Sequence, residues 1–94
     1  MPNEKRVVVV TGGASGIGEA CAETLVAGGF RVVVADKAPD RARKVATRIG
    51  GVPWVLDVAD DKSVEAAARA IESEVGPVYG LLNSAGIGQL PLRP

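Results

Sequence analysis

The 94-residue sequence has no histidine, one cysteine, three aromatic residues and no net charge, its eleven Lys and Arg balancing eleven Asp and Glu. Without histidine, the chain cannot build a Ser-His-Asp or Cys-His device from its own residues. The lone Cys21 has no partner for an internal disulfide, and a zinc site would lack its Cys and His ligands. A reducing, cytoplasmic setting is therefore expected. Zero net charge offers no electrostatic footprint for nucleic acid or an anionic membrane, and neither partner is expected. The run Val7 to Val10 is far too short to cross a bilayer, and Met1 to Arg6 lacks the apolar region of a signal peptide. What the chain does have is apolar content: 47% hydrophobic residues, too rich for disorder, over a length that bounds it to one domain.

Four apolar runs alternate with three helical patterns. Arg6 to Thr11 and Arg31 to Asp36 are β-branched and continuous, the pattern of strands covered on both faces of a parallel sheet. Val52 to Val58 is a third strand candidate, in which Pro53 suits a strand start or an edge. Tyr79 to Asn83 is a fourth, set between Gly76-Pro77 and Ala85-Gly86. The segment 16–27 carries Ile17, Ala20, Cys21, Thr24 and Leu25 at helical spacing, which predicts a buried stripe ended by Gly28-Gly29. Asp40 is expected to cap a second helix with the stripe Ala42, Val45, Ala46 and Ile49. Asp60 or Asp61 opens a third, with Val64, Ala67, Ala68, Ile71 and Val75 on one face. The order βαβαβαβ, with right-handed crossovers, predicts an α/β doubly wound parallel sheet of strand order 3-2-1-4. Its first two helices share one face, the third takes the other, and strand four is an open edge.

Directly after the first strand comes Thr11-Gly12-Gly13-Ala14-Ser15-Gly16-Ile17-Gly18. Glycines here tighten the turn, admit a pyrophosphate to the backbone and let helix pack on strand, while amides at the helix start face the anion. The second strand ends in Asp36, twenty residues beyond Gly16. A carboxylate there accepts hydrogen bonds from both hydroxyls of an adenosine ribose and repels a 2′-phosphate, which favours NAD over NADP. Asp57-Val58 and Asn83-Ser84-Ala85-Gly86 close strands three and four, on the rim where open α/β sheets bind ligands.

These motifs, in this order, resemble the N-terminal part of the short-chain dehydrogenase/reductase family, and the likeness covers about Arg6 to Gln89. The resemblance implies a Rossmann-type fold and hydride transfer between a nicotinamide and an alcohol or ketone. It implies that Gly12, Ser15, Gly16, Ile17 and Gly18 line the pyrophosphate and ribose, and that Asp36 holds the adenosine ribose. Asp57 and Val58 would flank the adenine, and Asn83, Ala85 and Gly86 would shape the floor near the cofactor's centre. The family's strand-four motif has two asparagines before Ala-Gly, and here the second is Ser84. The catalytic Ser and Tyr-x-x-x-Lys pair of the family have no counterpart in residues 1–94. Tyr79 is followed four residues later by Asn83 rather than lysine, so it cannot serve as the acid and is expected to pack in the core or at the rim.

The expectation for 1–94 is thus a partial NAD(P)-binding domain whose parent is a homo-oligomeric, NAD-dependent oxidoreductase and whose isolated chain is inactive. A different class remains open on the sequence: a stand-alone dinucleotide-binding or regulatory module. Cys21 is read as a small core residue, and Arg41, Arg43, Lys44 and Arg48 as a solvated helix face.

Overall fold

The computed structural model describes residues 5–14, 16–57 and 61–84. They form β1 (Val7–Thr11), α1 (Gly16–Ala27), β2 (Arg31–Asp36), α2 (Pro39–Ile49), β3 (Val52–Val55), α3 (Asp61–Glu74) and β4 (Val78–Asn83). The strands make one parallel sheet of order β3-β2-β1-β4, the Rossmann-type winding that the sequence predicts.

The two valine runs become the central strands because both their faces are covered. All five residues of β1 and the last five of β2 are buried. Alternation then sends Val8, Val10, Val32 and Val34 towards α1 and α2, where they meet Ala22, Ala42, Val45 and Ala46. Val7, Val9, Val33 and Ala35 face the other way, against Ala67 and Ile71 of α3. Two helices on one face and one on the other is the arrangement that right-handed crossovers require. Each fully buried valine contributes about 1.5–3 kcal/mol of transfer free energy.

The sheet departs from the sequence reading at its edges. β3 stops at Val55, because its ladder partner β2 ends at Asp36, which pairs with Val55; Val58 lies outside the described residues. Pro53 sits on this edge strand, where its missing N–H leaves no gap inside the sheet. β4 begins at Val78 and carries a bulge: Val7 pairs with Val78 but Val8 with Gly80, leaving Tyr79 as the extra residue. Tyr79 is 61% exposed and so is no core residue. Its ring stacks on Phe30 at 6.2 Å between centroids, with the Arg6 guanidinium 4.6 Å from its centre.

Three helix details are corrected as well. α1 buries Gly18 and Ala22, whose small size brings the helix close to the sheet. The expected stripe is only partly inward: Ile17, Ala20 and Thr24 are exposed, Leu25 is half-buried and packs against the core, and Cys21 is half-buried in a groove shared with Leu25 and Leu82. Cys21 is accordingly only part of the core margin. α2 is not capped by Asp40; it starts at Pro39, whose fixed φ suits the first helical position, and the cap position is Ala38. Asp40 instead lies in the first turn and pairs with Arg43 at 3.2 Å. On α3 the buried residues are Ala67 and Ile71, with Ala68 exposed.

Candidate functional site

The carboxyl ends of β1, β2 and β4 meet at the start of α1. β1 leads into Gly12, which has φ 67°, the left-handed turn that glycine tolerates without cost. The chain then passes under β2. Gly13 N–H donates to the Ala35 carbonyl at 3.1 Å, and Ala14 N–H donates to Asp36 Oδ2 at 3.1 Å. Asp36 Oδ1 accepts a second backbone amide, from Ala38, at 3.0 Å. The carboxylate is only 6% exposed, held between the glycine loop and the turn into α2. Two of its roughly four acceptor positions are taken by these amides.

From the other side, β4 reaches the same loop. Thr11 Oγ1 donates to Asn83 Oδ1 at 2.9 Å. Ser84, 5% exposed, donates from Oγ to the Thr11 carbonyl at 2.5 Å, with the Gly12 carbonyl 3.2 Å away. Gly18 fits into the remaining space: a Cβ there would overlap the Gly12 carbonyl oxygen and lie 2.5 Å from Ser84 Oγ. A Cβ at Gly16 would meet nothing within 4 Å, but its φ of 40° lies in the left-handed region that favours glycine. The first four amides of α1 have no partner inside the helix by construction, and they carry the positive end of its dipole.

Gly12, Gly16, Ile17, Gly18, Asp36 and Asn83 are therefore gathered at one rim. Ile17 is 56% exposed there, on the first turn of α1. Asp57 belongs to the same rim through Leu56, whose N–H donates to the Asp36 carbonyl at 3.0 Å. Ser15, Val58, Ala85 and Gly86 lie outside the described residues. Sequence reasoning missed the contributions of Ala14, Ala38 and Ser84 to the architecture. Only Ser84 carried a signal, a small hydroxyl standing where the resembling family has an amide.

A cleft of about 270 Å³ runs beside the loop between α1 and α2, with Ala14 at its floor and Arg41, Lys44 and Arg48 along it. Arg48 is engaged with Glu19 at 2.7 Å and Glu23 at 3.3 Å, and hydrogen bonds to Glu23 and then Glu19 raise its pKa. A second cavity, of about 410 Å³, lies on the opposite sheet face between α3 and β4. Thr11 and Asn83 line it, so it reaches the rim where β1 and β4 end, although among the described residues none from 12 to 18 lines it. No group of three His, Cys, Asp or Glu able to hold a metal occurs among the described residues, and no described helix is long and apolar enough to cross a membrane.

The short chain dehydrogenase family matches residues 6–93, nearly the whole chain. The chain belongs to this family. An uncharacterised oxidoreductase of Mycobacterium tuberculosis is 56% identical over 61 residues, covering 65% of this chain and 24% of the relative. D-threitol dehydrogenase of Mycolicibacterium smegmatis is 40% identical over 90 residues, covering 90% of this chain and 35% of that enzyme. Among solved structures, menthone neomenthol reductase from Mentha piperita superposes with a TM-score of 0.76 at 31% identity, over 84% of this chain and 31% of that one. The chain thus spans about a quarter to a third of the length of these relatives. Membership of the short chain dehydrogenase family implies a nicotinamide cofactor, NAD or NADP, and the residues present fit one: a helix N-terminus behind a glycine turn for a pyrophosphate and a strand-end carboxylate beside it for a ribose.

Proposed function

We propose that this chain is the cofactor-binding part of an NAD-dependent oxidoreductase that acts on an alcohol or ketone. The observation that carries this reading is the position of Asp36, which closes β2 and touches the glycine loop at Ala14. The amides of Gly16, Ile17 and Gly18 at the start of α1 bind the pyrophosphate, supported by the helix dipole. Asp36 accepts the ribose hydroxyls, and Asp57 and Val58 bound the adenine. Asn83, Ala85 and Gly86 floor the centre of the site. When bound, the nicotinamide supplies the hydride acceptor or donor. The proton-transfer groups, a Ser and a Tyr-x-x-x-Lys pair, belong to a part of the protein other than these residues. Residues 1–94 alone are then inactive, and the complete protein is cytoplasmic and homo-oligomeric.

Charge decides between the two cofactors. At about 4 Å and an effective dielectric near 20, a phosphate oxyanion against the Asp36 carboxylate costs about 4 kcal/mol per unit charge pair. Lys37, exposed beside it, offsets only part of this because a solvated ammonium is screened. Fluorescence titration of the protein with NADH and NADPH tests the reading. NADH is expected to bind at least about tenfold tighter; equal or tighter binding of NADPH overturns the NAD assignment.

A further inference from the structure

We propose that Asp36 is a positioning residue for the glycine loop as well as a ribose acceptor, and that it and Ser84 clamp the loop from its two flanking strands before any ligand binds. The inference rests on the dinucleotide reading and deepens it. A planar peptide unit has one orientation, so fixing its carbonyl also fixes its amide. Ser84 Oγ holds the carbonyl of the Thr11–Gly12 unit at 2.5 Å. Ala35 holds the Gly12–Gly13 unit by its amide at 3.1 Å, and Asp36 Oδ2 holds the Gly13–Ala14 unit by its amide at 3.1 Å. Three successive peptide units are thus oriented by Ala35 and Asp36 of β2 and by Ser84, the residue that follows β4.

Asp36 bonds the protein's own backbone with both oxygens: Oδ1 closes a local turn onto Ala38 two residues on, while Oδ2 reaches across to Ala14 on the loop, a contact that no local turn requires. Such bonds to an ionised acceptor are stronger than neutral ones, and burial shields the one to Ala14 from water. The clamp also divides the amides by task. Those of Gly13 and Ala14 are spent inside the protein, which leaves the pyrophosphate to the first turn of α1. Gly18 completes the arrangement, since only its missing side chain lets the helix start sit against the carbonyl and hydroxyl that the clamp holds.

The test separates positioning from direct contact by removing the ribose hydroxyls from the ligand. Calorimetry on the complete protein compares ADP, 2′,3′-dideoxy-ADP, which keeps the diphosphate, and adenosine, which lacks it. Asp36→Asn is expected to weaken dideoxy-ADP binding by about tenfold, the effect of one lost charge-assisted hydrogen bond. Ser84→Ala is expected to weaken both diphosphates by one common factor and to leave adenosine unchanged, a pattern that general destabilisation would not give. In the unsubstituted, ligand-free protein the Ala14 and Ala38 amides should be protected from hydrogen exchange. Unchanged dideoxy-ADP affinity in Asp36→Asn, or an Ala14 amide that exchanges as fast as free peptide, overturns the clamp. If the unsubstituted protein binds neither diphosphate, the dinucleotide reading fails instead, and amide exchange still decides the clamp.

Discussion

Gly18 occupies a space already filled by the Gly12 carbonyl and Ser84 Oγ, so any side chain there must displace backbone. Gly18→Ala is expected to cost about 1–3 kcal/mol of stability, the range for overpacking a filled site. It should also abolish measurable NAD binding, because the helix start moves away from the loop. Urea denaturation and a binding titration on the same variant check both. At this scale the sequence was informative about identity more than about contacts. The positions of Gly12, Gly18 and Asp36 were legible because glycine and a strand-end acid each have a specific use in a strand–turn–helix crossing. The roles of Ala14 and Ala38 were not, because they act through backbone amides that every residue type carries. Ser84 lay between these cases: its hydroxyl was visible, but the carbonyl that it reaches lies 73 residues away in sequence.

Among the elements, β1, β2 and their order in the sheet were readable from valine runs that only a doubly covered parallel strand explains. The face that α1 turns to the sheet was not. Its apolar spacing gave a credible stripe, yet Gly18 and Ala22 face the sheet, since close packing selects small residues that hydrophobic pattern discounts. The start of α2 was misplaced by two residues, the cap being Ala38 rather than Asp40, because Pro39 sets the helical φ before Asp40 can act as a cap. α3 depends on Ile71, 2% exposed and packed against Val7, Val9 and Val33. Ile71→Ala is expected to cost about 2–5 kcal/mol through lost burial and the cavity left behind. Leu81→Ala, at a position 63% exposed, is expected to stay within about 0.5 kcal/mol. Equal losses at the two positions in chemical denaturation would contradict the assignment of α3's inner face.

For the molecule as a whole, the sheet is covered by α1 and α2 on one face and by α3 on the other, and its rim carries the glycine loop, Asp36 and Asn83 together. That rim is at the switch point between β1 and β4, where the chain reverses its direction of winding and the crossovers leave a crevice. The absence of histidine and of net charge fits such a site, since backbone amides and one carboxylate suffice to hold a dinucleotide. Family membership places these residues among short chain dehydrogenases, and the proposed substrate oxidation belongs to the complete protein. The most direct measurement is the amide chemical-shift map of the isotopically labelled protein on addition of NAD. The account predicts the largest changes at Gly12, at Gly16 to Gly18 and at Asp36 and Lys37, with Leu81 and the α3 residues Ala67 and Ile71 unmoved. Changes centred on Leu81 and α3, or none at the glycine loop at saturating NAD, would contradict it.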